Sequence, residues 1–388
     1  WGPGGKTIAN AVGGRYSDSQ HASCHPIMMN VLKDFSVRRG TGERVQAQVE
    51  AFVRHLIWTG RLLPGQRLPT THELSRRWKV NLVSVQKALE RLTSRGLLER
   101  KTRLGTVVKP LTIGILTGSD FAAPDQHYHR ALAKALREEV EKHGWNGPFF
   151  DDIHLSEKFD RLEESEGVRR LTAELTRTRF AGFLQLALTT STWTLFKRIS
   201  PLPTVHCSQV YRDSDVMNDY YRFAQDSVEW LARRGVKRIE IFGFGVRDEA
   251  YQAAVAAANR FDLPPPPTTP LKGNTPGLTE CCRQALALLD RWKRNGQRPE
   301  ALIVTDDVVM RGVAMALIQR GVPMDKMIVL TLANEEVPHE YGIPVVRYAF
   351  SAKRNAEYAM ELLWRKLVGE PLPDRPILLA GRILERNG

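Results

Sequence analysis

The densest group of hydrogen-bonding and cationic side chains that could do chemistry lies between Thr70 and Arg103. Thr70, Thr71 and His72 precede one apolar-spaced segment. Asn81, Ser84, Gln86 and Lys87 stand at the start of the next, and Lys101 and Arg103 frame a short basic tip. An amide can pair with an adenine edge, and a hydroxyl or an ammonium can hold a phosphate. Other clusters carry less. His21, Cys24 and His25 bear metal-ligating atoms, but a structural zinc site needs four ligands and no second half follows. Gly243-Phe244-Gly245 follows a strand-like run, yet it lacks the third glycine and the acidic partner of a dinucleotide-binding turn. The chain shows no G-x-S-x-G and no P-loop. No enzyme, no metal and no cofactor is expected.

Charge agrees with that placement. Residues 1–110 hold 19 Lys and Arg against 7 Asp and Glu, whereas residues 111–388 hold 37 against 36. Nearly all of the net charge of +13 therefore sits at one end. A polyanion-binding module joined to a neutral module produces this asymmetry. A composition of 42% hydrophobic and 26% charged residues excludes a mostly disordered chain and supports two or three packed domains. No apolar run is long enough to span a bilayer, so no membrane partner is expected. The cysteines are Cys24, Cys207, Cys281 and Cys282; two are adjacent, which argues against a disulfide framework and for the cytoplasm.

The elements that must position the polar group can be read from periodicity. Residues 1–40 are Gly-rich, polar and weakly patterned, and are expected to be mostly disordered. Val45, Val49, Phe52, Val53, Leu56 and Ile57 recur at helical spacing. A Pro-Gly turn, a short helix from Thr71 to Trp78, a helix capped by Asn81, and the β-prone runs LLERK and GTVVK follow. That order predicts a winged helix-turn-helix over residues 41–110. From Leu111 the pattern changes to buried strand-like runs alternating with amphipathic helices, the signal of parallel sheets covered on both faces. About 270 residues exceed one such sheet, so residues 111–388 are expected to form two α/β lobes.

Gly60–Pro69 (GRLLPGQRLP), Glu73–Ser75 (ELS), Lys79–Leu92 (KVNLVSVQKALERL), Ser94–Leu98 (SRGLL) and Gly105–Val108 (GTVV) stand in the order and spacing of the GntR-type winged-helix domain, which this stretch resembles. The resemblance implies double-stranded DNA as partner, with the helix after Asn81 in the major groove and the wing against a neighbouring groove or the backbone. Thr70 and the amides at the start of its helix would hold a phosphate. His72, Leu82 and Gln86 stand where that family often has arginine, which points to a different operator. Gln86 would read adenine, Lys87 a phosphate or guanine, and Asn81 or Ser84 a base edge or phosphate.

Thr112–Ser119 (TIGILTGS), Arg179–Gln185 (RFAGFLQ), Pro203–His206 (PTVH), Leu231–Ile239 (LARRGVKRI) and Pro299–Val313 (PEALIVTDDVVMRGV) resemble, in series, the effector core of LacI/GalR regulators, a fold shared with periplasmic sugar-binding proteins. The resemblance implies a homodimer and a small-molecule effector, possibly a sugar, between the lobes at the strand carboxyl ends. It selects Ser119, Asp120, Gln185, His206, Arg212, Asp219 and Asp306. Asp306 would accept two ligand hydroxyls, while Asp307 reads as a helix N-cap. Ala333 and Asn334 replace a pocket Asp of that family, and Ser208 and Gln209 replace an Arg for which Arg212 would substitute. The expectation is a transcription regulator, a repressor, switched by a polar metabolite. The alternative is a core that has lost its ligand and serves only dimerisation or protein contacts. An aminotransferase fusion would need a cofactor lysine in a much longer region.

Overall fold

The computed structural model of the chain describes residues 32–38, 40, 42–118, 127–153, 165–188, 192, 196, 200–208, 214–243, 245–272, 277–338 and 340–385. It divides into two compact units, residues 1–111 with Lys142–Trp145, and residues 112–141 with 146–388.

The first unit contains α1 (Val45–Trp58), α2 (Thr71–Trp78) and α3 (Leu82–Ser94), then a ribbon of β1 (Leu98–Lys101) and β2 (Gly105–Val108). Val49, Val53 and Leu56 form the buried stripe of α1, and Val85, Ala88, Leu89 and Leu92 that of α3. Glu50 on α1 is buried and answered by Arg95 at 2.7 Å and Arg91 at 3.7 Å, so no carboxylate is left inside uncompensated. α2 stops at Lys79, whose φ of 51° turns the chain, and the Ser75 hydroxyl donates to the Val80 carbonyl at 2.7 Å to hold that turn. The ribbon is antiparallel, from Leu98 opposite Val108 to Lys101 opposite Gly105.

The expectation of disorder over residues 1–40 fails for residues 32–38. Leu32 is fully buried, and the Trp78 indole donates to its carbonyl at 2.8 Å. Phe35 packs against Phe52 and Trp78, each at 5.1 Å between ring centroids. Leu32 and Phe35 give no periodicity in this stretch, yet Phe35 joins the rings of α1 and α2 and the Leu32 carbonyl accepts from the Trp78 indole. His21, Cys24 and His25 lie outside the described residues.

The second unit holds two six-stranded sheets. Lobe 1 contains β3 (Ile113–Thr117), α4 (His127–Lys142), β4 (Phe149–Phe150), α5 (Glu166–Arg177), β5 (Gly182–Leu186), β6 (Thr204–Ser208) and β7 (Val216–Asn218). Lobe 2 contains α6 (Tyr220–Ala232), β8 (Ile239–Gly243), α7 (Glu249–Arg260), β9 (Thr268–Pro270), α8 (Leu278–Asn295), β10 (Ala301–Val304), α9 (Asp307–Gln319), β11 (Ile328–Asn334) and β12 (Val346–Phe350). The chain then returns as α10 (Ala352–Val368), which packs on β5, β6 and β7, and ends in β13 (Ile377–Leu379) and β14 (Arg382–Leu384). The sheet orders are β4-β3-β5-β6-β7-β13 and β9-β8-β10-β11-β12-β14. Every pairing in the two sheets is parallel except β12 with β14.

Three crossings join the lobes: β7 to α6, β12 to α10, and β13 to β14. The first and third are bonded together, the Asp219 N–H donating to the Leu379 carbonyl at 2.9 Å. At the third, a Cβ on Gly381 would lie 2.4 Å from the Tyr348 ring, so only glycine lets the chain pass there. Short connections of this kind between two packed bodies are hinge geometry.

Candidate nucleic-acid interface and ligand cleft

Opposite its buried stripe, α3 exposes Val83, Gln86, Lys87 and Glu90, at i, i+3, i+4 and i+7. Its start is fixed by Asn81, whose Oδ1 accepts the Val83 N–H at 2.8 Å. Gln86 Nε2 donates to Glu90 Oε1 at 2.9 Å, which lays the amide along the exposed face. Ser84 is half-buried at the edge of that face. Lys101 and Arg103 are exposed at the wing tip, which Arg103 turns with a φ of 68°; Lys101 lies 3.7 Å from Glu99. Val83, 54% exposed, is not among the residues singled out by type; an aliphatic group there suits a thymine methyl.

One expectation needs correction. Thr70 does not offer a free hydroxyl and amide to a phosphate. Its N–H and hydroxyl both donate to Glu73 Oε2, at 2.7 and 2.8 Å, and its oxygen accepts the Glu73 N–H at 3.3 Å. This reciprocal cap puts a carboxylate where the anion would sit. Thr71 is half-buried and His72 exposed on the first turn of the same helix.

In the core, Gln185 on β5 and His206 on β6 are register partners, and both are buried. The His206 N–H donates to Asp215 Oδ2 at 2.8 Å. Gln185 is 0% exposed, and neither atom of its amide has a hydrogen-bond partner among the described residues. Asp219 lies in the first crossing and caps α6, accepting the Arg222 N–H at 2.8 Å. Ser119, Asp120 and Arg212 lie outside the described residues.

Lobe 2 corrects which of its two acids caps the helix. Asp306, not Asp307, is the N-cap of α9, its Oδ1 accepting the N–H groups of Val308 at 2.8 Å and Val309 at 3.1 Å. Asp307 is the perturbed acid. Burial and then the Asp306 charge push its pKa up to about 7, with Arg311 opposing. Tyr220 is raised well above the ordinary tyrosine value by burial, then by the charge of Asp306, Tyr128 and Asp307. The start of α6 and the start of α9 thus share one electrostatic neighbourhood. Tyr128, Asn218 and Asn355 sit beside the crossings, Tyr128 bonding Asn218 at 3.3 Å and Asn355 at 3.2 Å. None of these three is flagged by a motif. The described residues contain no group of three or more His, Cys, Asp or Glu that could hold a metal ion, and no helix long and apolar enough to cross a membrane.

Residues 45–108 match the gntR family of bacterial regulatory proteins, and residues 228–387 match the periplasmic binding protein-like domain. Among solved structures the chain is similar to a LacI-family regulatory protein from Chloroflexus aggregans (18% identity, TM-score 0.55, covering 71% of this chain and 97% of that one). It is similar to the lac repressor dimer bound to operator and the anti-inducer ONPF (15%, 0.54, 72% and 93%). A LacI-family sugar-binding transcriptional regulator from Escherichia coli, complexed with phosphate, gives 15%, 0.50, 71% and 97%. At these identities the likeness shows the fold.

Proposed function

We infer that this chain, a DNA-binding transcriptional regulator with a gntR-type head and a LacI-like core, is a homodimeric repressor released from its operator by a neutral, hydroxylated metabolite. The observation that carries the reading is the pairing of an exposed Gln86–Lys87 face on a capped, rigid helix with a core of two lobes joined by three short crossings. Lys101 and Arg103 hold backbone phosphates, Gln86 reads a base edge, and Asn81, Ser84 and Lys87 flank it; Thr71 and His72 approach the backbone at the start of α2. Gln185, His206, Asp219 and Asp306 face the ligand. The sugar-binding regulator of similar fold supports a carbohydrate effector.

The mechanism is linkage. An effector lowers operator affinity only by binding the lobe arrangement of the DNA-free state more tightly than that of the DNA-bound state. Two heads matched to a palindrome need a fixed separation, which the core supplies. Met315 and Ile318, 49% and 56% exposed one turn apart on α9, form an apolar surface for that pairing. Beside it, residues 340–345 border an open pocket of about 660 Å³.

The decisive experiment is electrophoretic retardation of the full chain on its upstream DNA, with and without a panel of sugars and polyols. Retardation that one compound abolishes supports the reading. Absence of any retardation at low salt sinks it. A second reading, a core without a ligand, is favoured by the commitment of Asp306 Oδ1 to capping. A thermal-shift screen separates the two, since a ligand at 100 times its Kd adds about 2.7 kcal/mol of stability.

A further inference from the structure

Tyr128 ties together two of the three crossings. Its hydroxyl donates to Asn218 Oδ1 at the end of β7, and accepts from Asn355 Nδ2 in the first turn of α10. Tyr128, Asn218 and Asn355 are 6%, 1% and 0% exposed. The remaining polar atoms of the two amides, Asn218 Nδ2 and Asn355 Oδ1, are buried with no hydrogen-bond partner among the described residues. This leftover pair follows from hydroxyl chemistry. A phenol has one proton, so it donates to one amide and accepts from the other. One asparagine is then left with an NH2 and the other with a C=O, whichever way round the amides face. Buried orphans of this kind are costly, so a partner that satisfies both would be favoured there. A group that satisfies both at once accepts one hydrogen bond and donates another, as an alcohol does.

We propose that Asn218 and Asn355, held by Tyr128, form a hydroxyl-binding subsite beside the crossings between the lobes, where one alcohol group of a neutral polyol accepts from Asn218 Nδ2 and donates to Asn355 Oδ1. The proposal rests on the reading that the cleft binds an effector, and it names the chemistry of one end of that ligand. The three partners are neutral, so the subsite gives a buried phosphate or ammonium no balancing charge. Asn218 belongs to the first crossing and Asn355 to the second. A bridging hydroxyl therefore fixes them relative to each other, which is the differential interaction between lobe arrangements that linkage requires.

The test uses the full chain and glycerol, the smallest triol. Crystals soaked in glycerol are expected to show one of its oxygens within hydrogen-bond distance of both amide atoms. In Asn355→Leu, which matches asparagine in shape without its polar atoms, that oxygen disappears while operator retardation persists. In solution, glycerol stabilises most proteins without a site, so the readout is the difference: the melting temperature of the native chain should rise more than that of Asn355→Leu. Asn218→Leu, which removes the donating amide, is the second variant should the first fail to fold, and it too should lose the excess rise. Equal rises, a water that stays between the amides in glycerol, or amides bonded directly to each other would overturn the proposal. None of these would touch the effector reading, which the metabolite panel tests separately.

Discussion

Asp306 caps α9 and is proposed to face the ligand, two roles that a single substitution would confuse. Its Oδ1 caps two amides of α9, so Asp306→Ala removes a cap worth about 1 kcal/mol along with any ligand contact. Asp306→Asn keeps a capping oxygen and removes the charge. The asparagine variant should retain native stability and operator retardation but lose effector-driven release; thermal melts and retardation on the same sample check both. Asp307 gives a pH signature. Burial and the Asp306 charge push its carboxyl up to about 7 in the folded chain, against about 4 when unfolded. Between those values the unfolded state holds fewer protons, so stability falls as pH rises through the window. Asp307→Asn should flatten that fall, being more stable than the native chain at about pH 8 and losing the advantage towards about pH 4. Urea melts across the range read it directly, and parallel slopes for the two proteins would remove Asp307 as the cause.

Elements set what those residues can reach. The capped start of α3 and the left-handed turn at Lys79 aim the Val83–Glu90 face outward, while β1 and β2 carry Lys101 and Arg103 to the wing tip. The two elements should therefore fail differently. Lys101→Ala or Arg103→Ala should weaken all sequences alike and reduce the salt slope by about one, whereas Gln86→Ala should relax preference at one base position. Binding to a set of mutated operators at several salt concentrations separates the two. Helix packing in lobe 2 makes a second prediction at this scale. A Cβ on Gly312 of α9 would stand 2.5 Å from Cys281 Cβ on α8, too close for any relaxed contact. Gly312→Ala should cost about 1–3 kcal/mol through overpacking, despite the better helix propensity of alanine. A melting temperature equal to native would show that the helices separate freely.

At the scale of the molecule, regulation needs paired heads and a joint that carries motion. The full chain should scatter light as a dimer at micromolar concentration, and so should a chain lacking residues 1–110. Met315→Asp with Ile318→Asp should yield monomers that still melt cooperatively. A dimer that survives both changes would place the pairing surface elsewhere. Lys109, Pro110, Leu111 and Thr112 lie between β2 and β3, and Pro110 fixes one backbone angle among them.

Much of this was legible in the sequence because it is locally encoded. Asn81, the apolar spacing of α1 and α3, and the Pro-Gly turn each act within a few residues, so the head could be drawn from type and spacing, whereas the Thr70–Glu73 cap came only with the structure. The alternation of apolar runs and amphipathic helices likewise announced parallel sheets. The short strands β7, β9, β13 and β14, of three residues each, carry no period to detect, and β13 and β14 are sent to different lobes across Ala380 and Gly381. Which of two adjacent aspartates caps α9 depended on where β10 ends, a matter of backbone geometry rather than composition. Tyr128 meets Asn218 across 90 residues of chain and Asn355 across 227. Each of the three is an ordinary polar residue where it stands in the sequence. Only the tertiary fold buries them together, because desolvation depends on what the returning chain packs over a side chain and not on the side chain itself.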